Sequence, residues 1–166
     1  MEEPKKIIKE VPLSVAVAAL ISDNKILLIK RVRGDYVGFL ALPGGKIEKH
    51  EHLSEAAIRE IFEESGIDSV FKDHLGLVSE HLTEDGKILQ HFLLHVCELE
   101  PKSTDILNDA EGKLSWFDLD RLHEFRDQVI PSDYLIIEKI VRSRDKTYFD
   151  CLVEKNGEVY TLRKFE

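Results

Sequence analysis

Two adjacent glycines followed by a helix that crowds like charges constrain this chain more than any other stretch. In "LPGGKIEKHEHLSEAAIREIFEESGI", Leu42 to Ile67, helical periodicity starts near Leu53 and stops at Gly66, a natural residue just past a helix end. At about 100° per residue, Glu60, Glu63 and Glu64 fall in one narrow sector. Ala57, Ile58, Ile61 and Phe62 fall roughly opposite, so the helix is expected to anchor by that back face. Ala56 shares the acidic side and is small enough to leave room for something to approach. Arg59 stands where it can pair with Glu63. Like charges at these spacings cost roughly 0.2–0.5 kcal/mol per pair on an exposed helix. Either the acids form a solvated face, or a divalent cation offsets their repulsion. Oxygen ligands without imidazole or thiolate suit Mg²⁺ or Mn²⁺ rather than zinc.

The remaining chain reads as strands mixed with short helices. Leu13 to Ile21 and Lys25 to Arg31 form a hairpin over "SDN". Pro43-Gly44-Gly45 reads as a loop. "GLVSEHL" and "KILQHFLLHVCEL" are strands either side of "TEDG", and "KLSWFDL" is a short strand followed by the short helix "DLDRLHEF". Ser132 is the expected N-cap of a second long helix reaching about Arg144. Asn156-Gly157 predicts a type I′ hairpin pairing Val153 with Tyr160, Cys151 with Leu162 and Asp150 with Arg163. The fold class expected is an α/β/α sandwich around a mixed β-sheet, with an added C-terminal helix and β-hairpin. Its 166 residues suit one domain, with the hairpin of 144–166 appended. A net charge of −9 argues against polymeric nucleic acid and anionic membrane as partners. Cys97 and Cys151 read as buried, reduced thiols. The charged N-terminus "MEEPKKIIKE" lacks the apolar core of a signal peptide, so the expected location is cytoplasmic.

The frame running from Gly45 through Glu51, Arg59-Glu60-Ile61, Glu63-Glu64 and Gly66-Ile67 matches every fixed position of the Nudix box, and the chain resembles the Nudix hydrolases. The likeness is detailed over the box and the preceding "LPG". It is looser from Leu13 to about Leu122, where "SWFDLDRL" is similar to a strand and acidic turn common in the family. The resemblance implies the Nudix α/β/α sandwich and metal-dependent hydrolysis of a diphosphate linkage, usually with Mg²⁺. It implies that Glu60, Glu63, Glu64 and the Gly44 carbonyl ligate metal. Glu60, or in some members a glutamate on a distant loop, would be the general base. Arg59 would orient the box carboxylates, and Glu51 would support the base or a second metal.

Outside the box, Glu111 is the expected further metal-binding acid, with Asp109 second. Arg31, Arg33 and Lys46 are candidates for phosphate or base binding, and Trp116 for packing. Leu40 stands where many relatives carry tryptophan, and His50 and His52 replace a glycine and a capping hydroxyl; none of these removes a metal ligand. The expected substrate is a small nucleotide, a nucleoside diphosphate derivative of ADP-ribose or nucleotide-sugar type. The alternatives are MutT-like cleavage of an oxidised nucleoside triphosphate and a non-catalytic nucleotide-binding module. The hairpin's apolar face should cover either this chain's own sheet or a second copy in a homodimer.

Overall fold

The computed structural model describes residues 11–108 and 111–166. The N-terminal stretch "MEEPKKIIKE" and Asp109 lie outside the described residues. Strand β1 (Leu13–Ser22) turns through Asp23 and Asn24, both with positive φ, into β2 (Lys25–Arg31). Short β3 (Leu40–Ala41) and β4 (Gly44–Lys46) lead to α1 (Leu53–Ser65). The long hairpin β5 (Ser69–Glu84) and β6 (Lys87–Pro101) turns at Asp85-Gly86, again with positive φ. Strand β7 (Gly112–Asp118) runs into a 3₁₀ segment, Leu119–Gln128. Helix α2 (Pro131–Ile136) continues as a π-turn, Ile137–Arg142, before β8 (Tyr148–Asn156) and β9 (Val159–Phe165).

The sheet runs β3-β2-β1-β6-β5-β8-β9, with β4 also on β1 and β7 also on β2. It is mixed: β1/β6 and β5/β8 are parallel and the other pairs antiparallel. Helix α1 packs on β1, β4, β5 and β6, while α2 and its π-turn pack on β5, β6 and β9. This is the expected α/β/α arrangement. Among the described residues no helix is long and apolar enough to cross a membrane. Cys97 and Cys151 are free and buried, as expected.

Several local expectations are corrected. Gly44 and Gly45 are strand, not loop, because β1 recruits them: Val17 pairs with Gly44 and Ala16 with Gly45. Phe62 is 53% exposed, whereas the buried face of α1 is Ala56, Ala57, Ile61, Glu64 and Ser65. The helix is thus rotated so that Ala56 faces the core and one acid goes inside with it. Strand β5 starts well before "GLVSEHL". Register shifts at Phe71/Asp73 and His74/Gly76 break the alternation that marks a strand in sequence. The second helix is capped at Ile130, with Pro131 in its first turn, so Ser132 lies inside it.

The C-terminal hairpin pairs two residues out from the expected register: Asn156 with Val159, Lys155 with Tyr160 and Val153 with Leu162. Its turn is Gly157-Glu158, with φ +62° at the glycine and no positive φ at Glu158. That places glycine first, as in a II′ rather than a I′ turn. A shift at Leu152/Val153 then sets Cys151 opposite Phe165. The hairpin's apolar residues Phe149, Cys151 and Val153 are buried along β5 of the same chain. On β8 the hairpin's apolar face is thus covered within this chain, as the first of the two expectations has it. Phe149 stacks on Phe165 at 4.7 Å, with the Lys139 ammonium 5.8 Å and 5.7 Å from the two rings. Phe149→Ala should cost about 3–5 kcal/mol in urea unfolding of the full chain. A loss below about 1 kcal/mol would mean that the hairpin does not pack as described.

Candidate active site

The site is built where α1 lies against β4. A Cβ at Gly44 would collide with the Ala16 carbonyl oxygen of β1, and one at Gly45 with the carboxylate of Glu60. Gly44 thus lets β4 close on the backbone of β1, and Gly45 leaves the Glu60 carboxylate of α1 room to lie directly on β4. At the helix start, Glu55 accepts a 2.8 Å hydrogen bond from the His52 amide.

Arg59 is the hub of the acids. Its Nε and Nη2 donate to Glu51 at 2.9 and 2.6 Å, and its Nη1 donates to Glu60 at 2.8 Å and Glu63 at 3.1 Å. Nη2 also donates to the Lys46 carbonyl at 3.1 Å. The bidentate pairing, with the Glu48 amide, holds Glu51 down to about 2. Glu51 in turn keeps Arg59 protonated. Glu60 is pushed up by burial, with Glu63 and Glu111 adding to the rise and Arg59 opposing it.

Glu64 is different. Its side chain is turned inside, 6% exposed, and one of its oxygens, Oε2, has no hydrogen-bond partner. Burial, helped by the charges of Glu60 and Glu111, pushes it up to about 8 despite a hydrogen bond with the Gly44 backbone. Glu111 lies across a small cleft shared with Glu64, Gly44, Arg31 and Arg33. Arg33 is exposed and 4.0 Å from Glu111. The Lys46 side chain is exposed; its carbonyl, not its ammonium, joins the network. The Trp116 indole donates to the Thr104 carbonyl at 3.1 Å and packs against the core.

The expected single sector of acids is therefore divided. Glu60 and Glu63 turn to Arg59 while Glu64 points inward, and among the described residues no three ligating side chains converge on one point. The donor set still suits a hard divalent cation: it is all oxygen, with an orphaned buried carboxylate oxygen and a glycine cradle beside it. Glu60, Glu63, Glu64, the Gly44 carbonyl and Glu111 are the groups within the site that could hold one.

Gly44 also borders a second recess, of about 190 Å³, between the sheet and α2. Arg31, Tyr36, Glu80, Ser132 and Asp133 line it with apolar residues of β1, β5 and β6. Asp133 accepts from the Leu42 amide at 2.8 Å, and burial pushes it up to about 7. Glu80 is raised by burial, against hydrogen bonds from Ser132 and Cys151. The phenol of Tyr36, 6% exposed, makes no hydrogen bond. Arg31 was an expected binding residue, but sequence reasoning missed Tyr36, Glu80 and Asp133. One signal was available: Glu80 alternates with Val78 and Leu82 on the inward face of β5, where an acid is out of place. Tyr36 and Asp133 carry no comparable mark.

Hard acids beside a partly polar recess suit a phosphorylated substrate with one bulky end. The comparisons with known proteins agree. The family model described as NUDIX domain matches residues 12–139. An ADP-ribose pyrophosphatase from Methanocaldococcus jannaschii is 39% identical over 145 residues, covering 79% of this chain and 83% of its own length. Among solved structures, the mutator MutT protein of Bacillus halodurans has a TM-score of 0.68 at 23% identity, covering 90% of this chain and 97% of that one. A bifunctional NMN adenylyltransferase/ADP ribose pyrophosphatase from Francisella tularensis, complexed with AMP and a manganese ion, has a TM-score of 0.62 at 20% identity, covering 81% and 42%. The chain belongs to the Nudix family and is a Nudix hydrolase, an enzyme that cleaves the diphosphate bond of a nucleoside diphosphate linked to another group.

The inward acid has a measurable signature. Between about pH 4.5 and about 8 the folded protein keeps a proton on Glu64 that the unfolded chain has released. Stability from this group is full below the lower value and falls as pH rises through the window. With chelator present, the wild-type Tm should fall over this range more steeply than that of Glu64→Gln, which has no proton to lose. Parallel Tm profiles would show Glu64 to be solvated.

Proposed function

We propose that this chain hydrolyses ADP-ribose or a closely related nucleoside diphosphate derivative, with Mg²⁺ or Mn²⁺ held at the acidic cleft. The observation that carries the reading is that Gly44 borders both sites. A diphosphate seated over the cleft leaves its nucleoside end facing the recess. The recess is below the roughly 300–1,000 Å³ of sites that enclose a whole drug-sized ligand, so it takes one end of the substrate. Identity to the Methanocaldococcus ADP-ribose pyrophosphatase over most of both chains supports that substrate class.

In this reading Glu60, Glu63, Glu64, the Gly44 carbonyl and Glu111 hold the cation, which when bound neutralises diphosphate charge and lowers the pKa of bound water. Glu60 takes the proton of the attacking water, its basicity raised by partial burial. Arg59 and Glu51 fix the orientation of Glu60 through the 2.8 and 2.6 Å pairings. Arg31 and Arg33 steady phosphate oxygens, with Lys46 nearby. Water attacks one phosphorus, the bridging P–O bond breaks, and two monophosphates leave. The chain acts as one catalytic unit with the hairpin of 144–166 appended.

A panel of ADP-ribose, nucleotide sugars and nucleoside triphosphates, with and without Mg²⁺, tests the reading. ADP-ribose should yield AMP and ribose phosphate only with metal present. Release of pyrophosphate from triphosphates as the dominant reaction would replace it with MutT-like chemistry, and turnover undiminished by chelator would remove the cation. Glu60→Gln should lower kcat by roughly 10²–10⁴-fold while keeping the wild-type Tm within a few degrees. Near wild-type turnover would take Glu60 out of the proton transfer.

A further inference from the structure

The segment 32–39, between β2 and β3, forms one wall of the recess and lies in the C-terminal hairpin's grip. Its ends close on each other: the Gly38 amide donates to the Arg31 carbonyl at 2.8 Å, and the Arg31 amide donates to that of Phe39 at 2.9 Å. Inside this closure Tyr36 adopts φ +61°, a left-handed conformation unfavourable for a bulky side chain unless its surroundings impose it.

The surroundings are β8 and β9. The Tyr160 ring stacks on Tyr36 at 4.0 Å between centroids, and Phe39 sets an edge against both rings at 6.0 Å. The Tyr160 hydroxyl accepts from the Tyr36 amide at 3.1 Å and donates to Oδ1 of Asp35 at 3.2 Å. Lys155, opposite Tyr160 in the hairpin register, pairs with the same oxygen at 2.9 Å. On the far side, the Asp35 carbonyl accepts from Arg31 Nε at 2.7 Å, and Tyr36 borders the recess with its phenol unbonded. The dipeptide held by the hairpin is thus the one that shapes the recess and orients Arg31.

We propose that Tyr36 contacts the nucleoside end of the substrate, and that Tyr160 and Lys155 are positioning residues that set substrate affinity by holding it there. This rests on the nucleoside diphosphate reading above. The acids of α1 are bonded elsewhere, so the hairpin acts on binding and leaves proton transfer alone.

The test uses the full chain and two readouts: steady-state hydrolysis of ADP-ribose with Mg²⁺, and calorimetric binding of AMP with chelator present. Tyr160→Ala should raise KM and the AMP Kd about tenfold, the scale of losing a stack and hydrogen bonds at once, with kcat within about twofold. Tyr160→Phe keeps the stack and should recover part of the loss. Tyr36→Phe should weaken AMP binding by about two- to tenfold with no fall in Tm. If Tyr160→Ala does not fold, Lys155→Ala carries the same comparison. A folded variant that binds AMP as tightly as wild type overturns the positioning role, and so does a loss confined to kcat. Wild-type protein without AMP affinity or ADP-ribose turnover would instead sink the substrate reading, and this assignment with it.

Discussion

The close contact between α1 and β4 is the constraint on which the site depends. Because Gly45 has no side chain, the Glu60 carboxylate of α1 occupies the space a Cβ would fill, while Gly44 lets β4 itself lie close on β1. On the same helix Glu64 is turned inward, away from water. The same geometry leaves Arg59 on the outer flank, where one guanidinium reaches three carboxylates and a carbonyl. A lysine there would keep the charge but lose the planar fork that grips Glu51 with two bonds. Crowded acids, a raised carboxyl and a basic hub meet at this one contact.

The chemistry was easier to read in the sequence than the shape that delivers it. The box frame is local, so its acids, its arginine and its glycines are visible as a pattern. Turns that demand positive φ were equally legible, as at Asp23-Asn24 and Asp85-Gly86. What failed was whatever neighbours decide. Helical periodicity placed Phe62 inside, yet the tilt of α1 on the sheet put Ala56 and Glu64 there. The first half of β5 hid behind its bulges. Asn156-Gly157 named the right hairpin but the wrong central pair, because the register is set by β5 and by the shift at Leu152 as well as by the turn. Tyr36, Glu80 and Asp133 come from three separate elements and meet only after folding, so no spacing rule could assemble them.

In the proposed reaction the acidic cleft holds the cation and diphosphate while the recess receives the nucleoside end. The cleft is assembled inside the family frame, from α1, β4 and the approach to β7. The recess depends in part on residues beyond position 139, where the family match ends. The acids therefore lie within the matched frame, while Tyr36 on the recess wall is stacked and hydrogen-bonded by Tyr160 beyond it.

Strand β9 is the last in the sheet order, and its character bears on solubility. A terminal strand offers unpaired amides and carbonyls to any passing chain, which is how sheets grow into aggregates. Near its end the strand carries exposed Arg163 and Lys164, and the hairpin register slips by one residue beside them. Charge and irregular pairing together blunt that margin. The hairpin can thus complete the sheet without making it an open template for further molecules.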